Sequence, residues 1–317
     1  MSDLVPLDLV AAIDIGGTNT VFALVSREGK IIIRDSMATN SIADFDEYVA
    51  VIMNRLNLMV GHHKILAVGI GAPNGNYFNG TIEFAPNLPW KGVLHLAKTF
   101  NKYSGLPAVV TNDANAAALG EKYFGSAKDL DDYIFITLGT GLGSGIVAGG
   151  KLIYGHDGFA GEIGHTIIFQ DGRPCGCGRK GCLEQYCSAT GIVKTYLEIL
   201  RKQGQILNVD NVVTAKSIFD LAVQGDIAAL QSFESTGDIL GFALANSVAY
   251  TSPKAIFLFG GLANAGKFIF KPVIESFEKN LLTIYKNKIK ILPSGLPEND
   301  AALLGAASIA WEGLNLN

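Results

Sequence analysis

The 317-residue sequence predicts an α/β protein of two related lobes facing one cleft, and three observations carry that expectation. A run of three apolar strands with a glycine turn after the first opens the chain at residues 9–37 and is echoed at residues 133–154. A length of 317 residues with 49% hydrophobic and 17% charged content is enough to bury two cores. Late in the chain, at residues 226–250 and 263–285, apolar residues recur at helical spacing.

The opening strands read LVAAIDI, TVFALVS and KIIIRDSM, separated by Gly16-Gly17-Thr18-Asn19 and by Arg27-Glu28-Gly29. The echo reads DYIFITL, the turn Gly139-Thr140-Gly141-Leu142-Gly143, SGIVA, then KLIY after Gly149-Gly150. Each turn offers backbone N–H groups and hydroxyls, Thr18 and Thr20 in one, Thr137 and Thr140 in the other, with no bulky side chain in the way. Successive amides of this kind form anion-binding concavities, which predicts a nucleotide clamped by its phosphates between the two turns. One glycine turn alone serves hairpin structure as readily as phosphate; the pair is what points to a ligand. No G-x-x-x-x-G-K-[ST] occurs, and the G-x-G-x-x-A match at Gly143–Ala148 runs into a strand instead of opening a helix, which rejects a dinucleotide fingerprint.

Next come a strand end at Gly69-Ile70-Gly71 and the loop Ala85-Pro86-Asn87-Leu88-Pro89-Trp90, where the prolines stiffen a turn and Asn87 is a candidate hydroxyl ligand. After the strand LPAVVT, the sequence Asn112-Asp113-Ala114-Asn115 leads into an alanine-rich helix. Asn and Asp are good N-caps, and that role alone would account for them. A carboxylate at the mouth of a sheet, with phosphate turns nearby, is also what removes a proton from an attacking hydroxyl, and Asp113 is the expected base.

The densest chemistry lies at GEIGHTIIFQDGRPCGCGRKGCLE, residues 161–184. His165, Cys175, Cys177 and Cys182 supply the one imidazole and three thiolates that fill all four positions of a structural Zn²⁺. A disulfide across Cys175-x-Cys177 would be strained. Cys187 follows in an expected helix and reads as core. Glu162, His165 and Glu184 flank the metal site and suit vicinal sugar hydroxyls through charge-assisted hydrogen bonds. A metal on one nitrogen of His165 would leave the other facing substrate. His62, His63, His95 and His156 have no such company.

Net charge is −4 with no basic cluster beyond short solvated faces, which argues against a nucleic-acid partner. The chain opens MSDLVPLDLV, without a basic and then apolar leader, and contains no run of 18 apolar residues, which predicts a cytoplasmic protein with reduced thiols and no membrane association.

Taken together, Asp14-Ile15-Gly16-Gly17-Thr18, Asn112-Asp113-Ala114-Asn115, Leu138–Gly143, Gly161–His165, the cysteine motif through Glu184, and Phe259-Gly260-Gly261 resemble the ROK family (repressors, open reading frames and kinases) over essentially the whole chain. The resemblance implies a two-lobed actin-like ATPase (ribonuclease H-like) fold, with lobes at residues 1–125 and 126–299 and a final helix, 300–317, returning to the first. It implies phosphoryl transfer from Mg²⁺-ATP to a hexose, glucose at O6 in the nearest match, with Asp113 as base and Asn87, Asn112, Glu162, His165 and Glu184 around the sugar. ATP would meet Gly16, Gly17, Thr18, Asn19, Thr140 and Gly141; Gly260 and Gly261 would approach the adenosine, and Asp14 would organise the Mg²⁺. It further implies a homodimer or dimer of dimers. Kinases of N-acetylglucosamine, N-acetylmannosamine, mannose or fructose, and a sugar-responsive regulator, are the competing readings. The regulator loses support here because the family's repressors carry a DNA-binding winged helix ahead of the first turn, whereas Asp14 follows thirteen residues. One departure, Pro73-Asn74-Gly75-Asn76 where many relatives carry Pro-Gly, bears on the pocket wall.

Overall fold

A computed structural model of the chain describes residues 6–85, 87–204 and 213–315. Pro86 of the expected turn, residues 1–5 and 205–212 of the expected lobes, and residues 316–317 of the expected final helix lie outside the described residues. The chain divides into two compact units, Met1–Asp129 with Leu152–Ala160 and Gly295–Asn317, and Leu130–Lys151 with Gly161–Ser294.

In the first unit, strands β1 (Asp8–Ile15), β2 (Asn19–Ser26) and β3 (Ile31–Ala38) form an antiparallel meander. Helix α1 (Phe45–Met59) starts where the Asp44 side chain accepts the Glu47 N–H, and it leads to β4 (Lys64–Gly71), parallel to β1. A small sheet of β5 (Gly75–Asn76), β6 (Thr81–Glu83) and β7 (Val93–Leu94) follows. Helix α2 (Leu96–Ser104), closed by Gly105 at φ +69°, precedes β8 (Ala108–Thr111), which pairs parallel to β4, and α3 (Asp113–Tyr123) leaves the end of that strand. The sheet order is β3-β2-β1-β4-β8. Its central strands are buried on both faces, which is why β1 reads as a nearly unbroken apolar run.

The second unit repeats the plan. Strands β9 (Tyr133–Leu138), β10 (Leu142–Ala148) and β11 (Lys151–Leu152) come first. Helices α4 (Glu184–Cys187), α5 (Ala189–Lys202), α6 (Ala215–Val223) and α7 (Ile227–Thr251) then lead to β12 (Ala255–Phe259), α8 (Lys267–Asn280) and β13 (Lys290–Pro293). The sheet order, β11-β10-β9-β12-β13, matches that of the first unit strand for strand. The echo in the sequence is therefore a repeated sheet topology. Helices α7 and α8 pack closely because Gly237 and Gly241 carry no side chain: a Cβ at Gly237 would sit 2.5 Å from Pro272 Cγ, and one at Gly241 2.4 Å from the Val273 carbonyl oxygen.

Two expected elements are shorter than the sequence suggests. The strand KLIY ends at Leu152, and Tyr154, which belongs to the first unit as Tyr77 does, instead stacks on Tyr77 with ring centroids 4.0 Å apart. The helical stretch 263–285 is interrupted: a 3₁₀ turn at Ala263–Ala265, then α8, then a second 3₁₀ turn at Thr283–Tyr285, the first break falling at Gly266 with φ +58°.

The last helix, α9 (Ala301–Asn315), belongs to the first unit and packs on β1, β4 and α3. The approach is too close for side chains at two positions: a Cβ at Gly69 would lie 1.9 Å from the Ala306 carbonyl oxygen, and one at Gly305 2.6 Å from the Ala116 carbonyl carbon. Among the described residues no helix is long and apolar enough to cross a membrane.

Candidate active site

In the first unit Asp14, Gly71 and Thr111 stand abreast at the carboxyl ends of three parallel strands, the edge at which open α/β sheets place their ligands. Asn112 caps α3, its Oδ1 accepting the Asn115 N–H at 2.7 Å, so the helix begins at Asp113. The cap role weighed from the sequence is thus real for Asn112, and it leaves the side-chain NH₂ as the donor available to a ligand. Asp113 accepts the Ala114 N–H at 2.9 Å. Although its edge is exposed, the protein packed around it desolvates the carboxylate and pushes its pKa up, against the opposing pull of backbone N–H groups. Both Asp14 and Asp113 border Gly71, where a Cβ would lie 3.9 Å from Asp14 Oδ1 and from Asp113 Cα. Burial first, then the Asp113 charge, raise Asp14 to about 7. A site that crowds two carboxylates this way is one that a divalent cation satisfies.

The first glycine turn closes with Gly16 N–H on the Asn19 carbonyl at 3.0 Å. Gly17 lies against Asn87: a Cβ on Gly17 would sit 3.1 Å from the Asn87 carbonyl oxygen. The expected hydroxyl ligand Asn87 and the expected phosphate residue Gly17 are therefore neighbours. Thr18 and Asn19 are exposed, whereas Thr20 is fully buried with its hydroxyl bonded to Thr39 and Tyr48. The sequence reading of Thr20 as a phosphate hydroxyl is corrected: the inward side of β2 takes it into the core.

In the second unit Gly139, Thr140 and Gly141 form the turn, and Leu142 and Gly143 already belong to β10. The Thr137 hydroxyl accepts the Gly143 N–H at 3.0 Å, which leaves its own proton to donate, and Thr140 is exposed. Glu184 Oε2 accepts the Leu142 N–H at 3.1 Å, and a Cβ on Gly141 would lie 2.4 Å from that oxygen. Ser144 donates to the Gly161 carbonyl and accepts the Ile163 N–H at 3.1 Å, which pins the segment carrying Glu162 and His165 to β10. At the end of β12, Gly260 takes φ +100°, a conformation β-carbons resist, and Gly261 faces open space.

The ligand atoms of His165, Cys175, Cys177 and Cys182 all lie within 4.8 Å of one another. Cys177 Sγ is 3.6 Å from Cys182 Sγ, and His165 Nδ1 is 3.7 Å from Cys175 Sγ. Tetrahedral zinc with sulfur at 2.3 Å and nitrogen at 2.0–2.1 Å separates its ligand atoms by about 3.5–3.8 Å, so the donor set and its spacing fit the ion. All four cysteines of the chain are free thiols, and Cys187 is buried in the core of its unit. With Nδ1 toward the thiols, His165 Nε2 turns to Glu162, 3.9 Å from its Oε2.

Two residues that the sequence reading did not single out hold this loop. Gln185 Nε2 donates to Glu184 Oε1 at 3.2 Å and to Cys175 Sγ at 3.5 Å, while Lys194 donates to its oxygen. Arg173 pairs in bidentate fashion with Glu198 at 2.8 Å, reaches the carbonyls of Gln185 and Gly191, and stacks over Tyr186. Their only sequence signal was position inside or beside the cysteine motif. In the first unit, the departing residues Asn74 and Asn76 turn to structure: Asn74 donates to the Glu83 carbonyl at 2.9 Å and Asn76 to the Asp157 carbonyl at 2.8 Å.

The ROK family profile matches residues 10–312, and the chain belongs to the ROK family. Its fold is the two-lobed actin-like ATPase fold of ROK sugar kinases. Among characterised relatives, the glucokinase of Thermotoga maritima is 36% identical over 310 residues, covering 95% of this chain and 96% of its own. The N-acetylmannosamine kinase of Shigella boydii is 33% identical, covering 94% and 97%. The crystal structure of a ROK family glucokinase from Streptomyces griseus in complex with glucose and AMPPNP superposes with a TM-score of 0.79 at 35% identity, over 96% of this chain and 100% of that one.

Proposed function

We propose that this protein is an ATP-dependent hexose kinase that converts glucose to glucose 6-phosphate. The observation that carries the reading is Asp113, a carboxylate with a raised pKa held beside Asp14 at the carboxyl edge of parallel strands. In this reading Asp113 takes the proton from the attacking sugar hydroxyl, and the desolvation that raises its pKa strengthens it as a base. Asn87, Asn112, Glu162, His165 and Glu184 bind and orient the sugar hydroxyls. The amides and hydroxyls of Gly16, Gly17, Thr18, Asn19, Thr140 and Gly141 receive the ATP phosphates, and Gly260 with the open face of Gly261 admits the adenosine. Asp14 would hold Mg²⁺ or its water, and the ion would neutralise phosphate charge, which with positioning would supply most of the rate.

Zinc in the His165, Cys175, Cys177 and Cys182 set is structural, for all four positions are protein ligands. Bound there, it would hold His165 through Nδ1, the nitrogen nearest Cys175, and leave Nε2, which faces Glu162, for the sugar. Free thiols suit a cytoplasmic protein, and family resemblance supports a homodimer or dimer of dimers. The N-acetylmannosamine kinase relative keeps N-acetylhexosamines as the second reading. The test is ADP release from Mg²⁺-ATP against a panel of hexoses and N-acetylhexosamines, with the product identified by mass and NMR. Glucose preference with 6-phosphate product is expected; turnover only on an N-acetylhexosamine, or on no sugar with zinc-replete protein, overturns it.

A further inference from the structure

The exposed turn Gly16-Gly17-Thr18-Asn19 rests on a fully buried residue far from it in sequence, Thr39. The Thr39 hydroxyl donates to the Gly16 carbonyl at 2.7 Å, and its backbone N–H donates to the Thr18 carbonyl at 2.9 Å. Behind it the Thr39 hydroxyl lies 3.0 Å from that of Thr20, which in turn meets the Tyr48 hydroxyl. Each hydroxyl has one proton. A carbonyl only accepts, so Thr39 donates to Gly16; Thr20 must then donate to Thr39, and Tyr48 to Thr20. The chain has one direction, from the core to the turn, and all three side chains are completely buried.

That direction fixes the turn's outward face. In a trans peptide the C=O and N–H point opposite ways. With the Gly16 carbonyl held inward on Thr39, the Gly17 N–H turns away from the core, on the side where Gly17 and Thr18 are exposed.

We propose that Thr39 is a positioning residue for nucleotide phosphate, setting the Gly17 amide through the Gly16 carbonyl, with Tyr48 and Thr20 orienting its proton. The proposal rests on the assignment of this turn to phosphate in the kinase reading above. Thr39→Val keeps the shape and removes the donor. The expected result is a KM for Mg²⁺-ATP raised about 5–50-fold, the range set by one buried hydrogen bond with its unpaired carbonyl, and a sugar KM changed less than about 2-fold. Thr39→Ser restores the donor and the wild-type KM. Tyr48→Phe leaves the Gly16 bond and raises the ATP KM by less, about 2–5-fold, and it gives the reading if the valine variant does not fold. Calorimetric titration with the non-hydrolysable analogue AMPPNP, without sugar, should weaken in parallel. An unchanged nucleotide affinity in Thr39→Val, or equal rises in both KM values, overturns the proposal. A wild-type protein that binds AMPPNP but phosphorylates no sugar overturns the kinase reading alone.

Discussion

Glu184 joins the cysteine cluster to the second glycine turn: one carboxylate oxygen accepts the Leu142 N–H at 3.1 Å, and the other lies 3.9 Å from Cys175 Sγ. A side chain proposed for the sugar thus also fixes the backbone that leads out of Thr140-Gly141. Glu184→Ala should therefore raise the KM of sugar and of Mg²⁺-ATP together, each by about 10–100-fold, the scale of a lost hydrogen bond to a charged group. Steady-state kinetics with each substrate varied reads the pair, and a rise confined to sugar would mean that the turn stands without Glu184.

Cys177→Ser removes one thiolate from the four-ligand set. Zinc content, measured by atomic emission, should fall and the sugar KM should rise with it, since His165 and Glu184 both border the cluster. A metal-free variant with full activity would refute the structural-zinc account.

Asp113→Asn keeps size and the helix start but removes the carboxylate proposed as the base. Turnover should drop by about 10²–10⁴-fold while glucose and AMPPNP still bind by calorimetry. Near-normal turnover would remove Asp113 from the mechanism.

Asp14 couples activity and stability to pH in opposite directions. Its pKa of about 7 in the folded chain, against an ordinary 3.8, means that the folded chain retains a proton the unfolded chain has lost between about pH 4 and 7. Stability then falls as pH rises through that window. Asp14→Asn should flatten this dependence and add on the order of 1–3 kcal/mol at pH 8, read by urea unfolding at pH 5 and 8. In the wild type, kcat/KM for Mg²⁺-ATP should decline below about pH 7, as the group proposed to hold the cation becomes neutral. Identical unfolding profiles for the two proteins would show that Asp14 ionises normally.

Adjacent glycines should behave differently on substitution. Gly260→Ala meets φ +100° and a carbonyl 2.8 Å from the new Cβ, so it should destabilise the fold by on the order of 1–3 kcal/mol. Gly261→Ala enters open space and should leave the melting temperature alone while weakening nucleotide binding. Thermal melts with and without AMPPNP separate the two effects.

The elements legible in the sequence were those written in a local pattern. The strands around Gly16–Asn19, the α7 periodicity and the His165, Cys175, Cys177 and Cys182 set needed only near neighbours, and each is where the spacing puts it. What escaped depends on distant partners. Thr20 looks like a free hydroxyl until Tyr48, 28 residues on, takes it. Tyr154 looks like the end of a strand until Tyr77 stacks on it. The grip of Arg173 on Glu198 closes a loop of 25 residues that no periodicity marks.

Because α9 covers β1 and β4, a sheet that precedes the second unit in the sequence is completed by a helix that follows it. Domains commonly fold as they emerge, amino-terminal unit first. Here Leu130–Lys151 and Gly161–Ser294 are synthesised before Ala306 can reach Gly69, and until then the opening strands lack the helix that covers one of their faces. In this chain the order of birth and the order of completion run in opposite directions.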